Sequence, residues 1–432
     1  MRYRRFTRAC LCSLVTLLVG PDVLAQRDGF EQPPIDYLNA EVNDPVSVLA
    51  SKIQAGQTVL EYDRTFGYLK SVLKALGVSV NSQTLVFSKT SLQLQRISPR
   101  RPRALYFNDD VYVGYCQQGE VLEFAATDAK QGATFYTLEQ THEGTPRFIR
   151  DKGVCLSCHA SGRTQNVPGY LVRSVFTDVT GQPKLGLKTF TTDHTSDLKD
   201  RWGGWYVSGR HGSMRHMGNT LCTGSENDFD HEVGANQVDL SSRFGRDLYL
   251  SAHSDIVALM VLEHQTQMHN AMAAANYETR QALYQSYGMN EILKRPSDYV
   301  SDSATRRIDS SADRVLKHLL MCGEFPLTDS VSGSTRFAEE FTAGGKRDSQ
   351  GRSLRDFDLK TRLFKYPCSY LIDSGAFGGL PAEVRLEVIS QLKRILEGHD
   401  TSPEYAHLSA ETRREIFEIL RETKPEFDWV RR

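Results

Sequence analysis

Arg103-Ala-Leu-Tyr-Phe-Asn-Asp-Asp-Val-Tyr-Val-Gly-Tyr115 is the stretch that decides the fold class. Two β-prone runs, 104–107 and 111–115, flank Asn108-Asp109-Asp110, whose short polar side chains favour a tight turn. The same period of two continues in 121–125 and 134–138, with Gly119 and Gly132 as punctuation. Farther on, 170–176 and 185–190 flank 178–183 as a second hairpin. Between about 104 and 192 helix signals are few.

Outward from this centre the period changes. On the N-terminal side Asp44-Pro45 reads as a cap and first helical residue, with a helix over 46–55 that stops at Gly56. Phe66, Leu69, Val72, Leu73 and Leu76 predict a second helix over 65–76, ended by Gly77. Residues 26–43 read as a loose polar arm. Beyond 250 the spacing predicts helices over 254–276, 305–321, 381–396 and 410–422, the last capped by Ser409, with a long loop over 325–360. The expected class is α+β: N-terminal helices over 26–100, a β-rich centre over 101–225 and a mainly helical half over 226–432.

The chain has 432 residues with 52 Lys+Arg and 53 Asp+Glu. So balanced a charge argues against nucleic acid as a partner, since phosphate binding wants a clear basic excess. Arg2, Arg4, Arg5 and Arg8 precede an apolar run over 9–20 that is too short to span a bilayer. Val23-Leu24-Ala25 then offers a signal-peptidase site, so 1–25 is expected to be a cleaved signal and the mature chain to be periplasmic or secreted. No later stretch is apolar enough to predict a membrane span.

Export leaves six cysteines, Cys116, Cys155, Cys158, Cys222, Cys322 and Cys368. Two of them stand in Cys155-Leu-Ser-Cys158-His159. In C-x-x-C-H the thiols form thioethers with the two vinyl groups of a haem, and the adjacent imidazole binds iron from the near side. One covalent haem c is therefore expected, held by Cys155, Cys158 and His159. A zinc site would need a second ligand pair, and a redox dithiol a thioredoxin-like context; neither is visible.

For the far side of the iron the richest stretch is 202–219. His216, Met217 and Met214 are the candidate ligands, with His211 behind them. A second group, His253, Asp255, Glu263, His264 and His269, falls on a predicted helix and reads first as a hydrogen-bonded helix face, second as a metal site or far-side residues. The four remaining cysteines are expected to pair as Cys116–Cys222 and Cys322–Cys368, against the simpler reading of buried thiols.

The haem motif resembles c-type cytochromes in general over only five residues. More of the chain is similar to a family of uncharacterised exported proteins with a single cytochrome c-type haem site. The carrying stretches are 85–90, 103–114, 202–219 and Lys365-Tyr-Pro-Cys-Ser-Tyr-Leu371. The resemblance implies a haem protein without implying a reaction. Strand pairs, then C-x-x-C-H, then further strands also look similar to haem c-bearing PAS-like sensors, an analogy of architecture alone. The expected function is electron transfer with a redox partner protein. The alternatives are a haem-dependent oxidoreductase with a small-molecule substrate, in which His211, His216 or His264 handles protons, and a haem-based sensor.

Overall fold

The computed structural model describes residues 29–427; the expected signal segment, 1–25, lies outside the described residues. The strands are β1 Thr84–Val86, β2 Arg103–Phe107, β3 Val111–Tyr115, β4 Val121–Asp128, β5 Gly132–Glu139, β6 Phe148–Arg150, β7 Val172–Val175, β8 Thr189–Thr192, β9 Trp205–Tyr206, β10 Gly209–Arg210 and β11 Ser332–Gly333. The helices are α1 Pro45–Gln54, α2 Leu69–Ala75, α3 Leu156–His159, α4 Ile256–Ile292, α5 Asp302–Leu319, α6 Phe337–Ala343, α7 Gly375–Gly378, α8 Ala382–Leu396 and α9 Ala410–Thr423. The fold is mixed α+β, built on a seven-stranded antiparallel sheet in the order β6-β5-β4-β3-β2-β1-β9.

Local chemistry sets these elements. Asn108 closes the β2–β3 turn by accepting from the backbone of Asp110 and Val111, as short amide side chains do in turns. Asp44 caps α1 through Val46 N and Ser47 N, with Pro45 at the first helical position. Ser409 caps α9.

One face of the sheet carries Ala104, Tyr106, Val113, Tyr115, Leu122, Phe124, Tyr136 and Leu138. These pack against Val46, Leu49 and Ile53 of α1 and Leu69, Val72 and Leu73 of α2. Each such side chain contributes about 1.5–3 kcal/mol of burial.

The opposite face is only half covered. Phe107, Tyr112, Ala133 and Phe135 enter the larger core under α4 and the C-terminal helices. The next row, set by the pairings Leu105–Gly114, Gly114–Glu123, Glu123–Thr137 and Thr137–Ile149, stays partly open. Leu105, Glu123 and Thr137 are half-buried, and Ile149 is 53% exposed.

Several expectations change. The described part of the expected arm, 29–43, is not loose: Phe30, Ile35 and Tyr37 are buried, and Tyr37 donates to Ala133 O. The second helix starts at Leu69, because Asp63 takes Thr65 N and Phe66 N into a turn first. In the 172–192 hairpin Leu185 is fully exposed, and the second strand begins at Thr189. The loop over 325–360 contains β11 and α6. The helix expected over 254–276 runs on to Ile292. β1 and β2 belong to one sheet, so the expected boundary at residue 100 passes between two paired strands.

The expected disulfides are not made; all six described cysteines are free thiols. Cys116 sits beside Arg103 and Glu123, whereas Cys222 donates to Gly224 O in a small cluster with Phe176 and Met217. Cys322 follows α5, where its N–H reaches Lys317 O, and Cys368 is enclosed in the core. No described helix is long and apolar enough to cross a membrane.

Candidate functional site

Cys155, Cys158 and His159 stand on a single helical turn, α3, that follows β6 at the rim of the half-open face. Asp151 starts the turn: its own N–H reaches Phe135 O at 2.8 Å, and its carboxylate accepts from Gly153 N and Cys155 N. Leu156 is buried and anchors the turn to the core, while Cys158 is exposed. Burial, with the negative charge of Asp151 beside it, pushes the Cys155 thiol up to about 12. The Cys155 sulfur is therefore held as a neutral thiol.

His159 is fixed more tightly. Its Nδ1 lies 2.9 Å from Gly169 O, and Gly169 N–H returns to His159 O at 2.8 Å. A carbonyl only accepts, so Nδ1 carries the proton and Nε2 keeps its lone pair. Burial also lowers the ring's proton affinity, keeping it neutral. The ring stands 4.9 Å from Phe135. Gly169 itself is held in place: Ala133 N reaches Pro168 O, and Asn270 of α4 brackets Tyr170 through both its N–H and C=O. With Nδ1 so engaged, Nε2 is the ring nitrogen left to accept or to bind.

The half-open row Leu105–Gly114–Glu123–Thr137 carries charge at Glu123. Arg103 reaches across Gly114 to Glu123, Nη2 to Oε2 2.5 Å, both largely buried. A Cβ at Gly114 would collide with the guanidinium, so the glycine is what lets the arginine cross the sheet. Gln93 holds Glu123 from the other side at 3.0 Å. Arg173 on β7 stands beside Cys158.

No protein-family model, curated protein or solved structure matches the chain. The resemblance to exported single-haem proteins thus rests on the stretches quoted for it.

The far-side candidates lie on the loop after β10, and no hydrogen bond or ring contact among the described residues joins them to Cys155, Cys158 or His159. His211 is fully engaged: Nδ1 lies 2.7 Å from Met214 O, and Nε2 accepts from Asn236 N at 2.9 Å. Met217 sulfur accepts from Ser174 Oγ at 3.5 Å, on the side of β7 opposite Arg173. Met214 is buried in the main core. His216 is buried with both ring nitrogens unpartnered, its ring 5.4 Å from Trp202 and 4.7 Å from His211.

The second histidine group is scattered. His253 precedes α4, and Asp255 caps that helix. Glu263 pairs with Arg201 at 3.1 Å, burial raising its carboxyl to about 7 against the pull of the arginine. His264 meets Ser369 and His194, and His269 meets Asp109 O. Among the described residues no three His, Cys, Asp or Glu gather as a metal centre. Sequence reasoning missed Gly169, Phe135, Arg103, Glu123 and Arg173. The one available signal was Gly114, an isolated glycine within an alternating strand.

Proposed function

We propose that the chain is an exported c-type haem protein that transfers electrons through one haem bound at Cys155, Cys158 and His159. The observation that carries this reading is the set pairing of His159 with Gly169, which keeps the proton on Nδ1 and leaves the Nε2 lone pair available to a metal. Metal-binding histidines commonly give their other N–H to such an acceptor.

The donor set fits the group. Two free thiols three residues apart suit two thioethers, and a neutral imidazole follows them directly. Leu105 is half-buried and Val154, beside Cys155, is 65% exposed, apolar surface that a macrocycle would cover. In this reading Cys155 and Cys158 tether the haem, and His159 supplies the near-side iron ligand. The bound iron would supply a one-electron ferric–ferrous couple. Asp151 and Gly169 would keep the tether and the ring in register. A redox partner protein would meet the exposed edge around Cys158.

A second reading, a haem-dependent oxidoreductase or sensor, is favoured by one observation. The row Leu105–Gly114–Glu123–Thr137 contains neither Met nor His, and the far-side candidates are engaged elsewhere or, like His216, packed against Trp202. The test is the visible spectrum of periplasmically matured protein, oxidised and reduced, with and without carbon monoxide. A haem c spectrum unmoved by carbon monoxide supports the electron carrier, and a shifted one the enzyme or sensor. No haem spectrum overturns both.

A further inference from the structure

A surface cleft of about 550 Å³ opens where the turn before β2, the residue pair after β3 and the turn between β7 and β8 meet. Its size is that of a small-molecule site, and no residue of α3 lines it. Arg100, Arg101, Gln117 and Ser98 supply its polar wall. Among the described residues none of these four side chains makes a hydrogen bond or ion pair with the protein. Val179, which is 65% exposed, and Leu248 supply its apolar part. No carboxylate lines it. The acids that stand next to lining residues in sequence are engaged: Asp178 takes Thr180 N, Thr180 Oγ1 and Gln182 N, and Asp247 lies beside Arg246.

The walls are fixed by the protein itself. Two buried tyrosines hold the arginine turn, Tyr206 donating to Pro99 O at 2.7 Å and Tyr249 to Pro102 O at 2.8 Å. Ser98 and Arg101 exchange both backbone hydrogen bonds, at 3.0 and 2.9 Å, so the turn is closed on itself and pinned on either side. The Val179 turn is tied to the same place. Lys89 N reaches Gly181 O at 2.8 Å, and Gly181, at φ +86, lies so near Phe87 O and Pro99 that a Cβ would collide. Walls set in this way lose little freedom when a ligand arrives.

Fork-shaped donors without a protein partner suit an oxyanion, because a guanidinium binds carboxylate or phosphate oxygens in pairs. The apolar part adds area that a bare ion would leave uncovered. We propose that this cleft binds a small organic oxyanion, a carboxylate or phosphate borne on an apolar group. Arg100 and Arg101 take the charge, Gln117 and Ser98 donate to the remaining oxygens, and Val179 and Leu248 meet the apolar group. The site is independent of the haem reading, since it uses none of Cys155, Cys158 and His159.

The test is a ligand-observed NMR titration of the purified protein with benzoate and phenylphosphate, benzyl alcohol as the uncharged counterpart and inorganic phosphate as the bare anion. Both organic anions are expected to bind saturably, and benzyl alcohol about tenfold more weakly or worse. Arg100→Gln and Arg101→Gln should each weaken both anions several-fold, and the double variant by about tenfold or more. Arg306→Gln on α5 should change nothing. Neither lining guanidinium is bonded to the protein, so these variants should keep the urea midpoint of the parent, measured alongside. Val179→Ser should weaken phenylphosphate and leave inorganic phosphate as it was. An absence of saturable binding, equal affinity for benzoate and benzyl alcohol, or an unweakened double variant overturns the site. Inorganic phosphate bound as tightly as phenylphosphate overturns the apolar half of the proposal.

Discussion

The two faces of the sheet differ in what covers them. One is sealed by α1 and α2 with aromatic and aliphatic side chains throughout. The other is sealed under α4 as far as the Phe107–Tyr112–Ala125–Phe135 row, and then left half-open where the thiols, His159 and the Arg103–Glu123 pair converge. On that side Ile149 and Val154 are 53% and 65% exposed. The sealed face supplies stability, and the half-open one is where the site is proposed.

The strongest attempt to break this contrast removes both tethers. Cys155→Ala together with Cys158→Ala is expected to abolish haem that survives denaturing electrophoresis, read by haem stain. Retained stain would detach the open face from the proposed cofactor.

Next in size is a pair of truncations. Phe124→Ala, on the sealed face, should cost about 3–5 kcal/mol in urea unfolding, because a buried aromatic leaves a cavity. Leu105→Ala, half-buried on the open row, should cost the haem-free chain about 1 kcal/mol. Equal costs would mean the two faces are packed alike.

Acid sharpens the contrast on the α4 side, where the buried histidines lie. His269 is pushed down to about 4 by burial, and His194 and His264 are also lowered, chiefly by burial. Folded rings stay neutral while unfolded ones protonate from about 6.5, so the unfolded state binds more protons between these values. Their contribution is lost as pH falls from about 6.5 to 4. Glu263 works in the opposite sense, so the expected readout is a difference. His269→Gln should lose less stability than the parent across that window, measured as urea midpoints at several pH values. A parallel decline in both proteins would refute the assignment to His269.

The smallest effect concerns Ile149→Ser on the open row, expected to change unfolding free energy of the haem-free chain by within about 0.5 kcal/mol. A larger loss would show that this row is already covered by protein.

Much of the fold was legible. Alternation placed β3 at its observed bounds and β2, β4 and β5 within a few residues, because those strands present one sealed face and turn at Asn, Asp and Gly. Caps at Asp44 and Ser409 placed α1 and α9. α4 was read too short because 256–277 is buried almost all round and so lacks a polar stripe, while its exposed end continues to Ile292. Spacing alone singled out Cys155, Cys158 and His159, but not the helical turn that carries them. It could not place Arg103, Glu123 and Arg173, which meet that turn only through strand register and a chain reversal. The far-side candidates failed to gather for the same reason: clustering in sequence over 202–219 put them on a loop whose side chains point several ways.

Asp255 joins two tasks in one carboxylate. One oxygen caps the start of α4 through Val257 N and Ala258 N. The other takes Ser334 N, Thr335 N and Thr335 Oγ1, about eighty residues later in the chain. The first set forms as soon as the helix does, whereas the second must wait for the chain to return past α5. Assembly of this protein is thereby ordered in time: a nascent chain arrested before residue 334 can hold a capped α4 but not the strap that fastens it to the sheet. Chains that halt there would remain open to proteases along that seam.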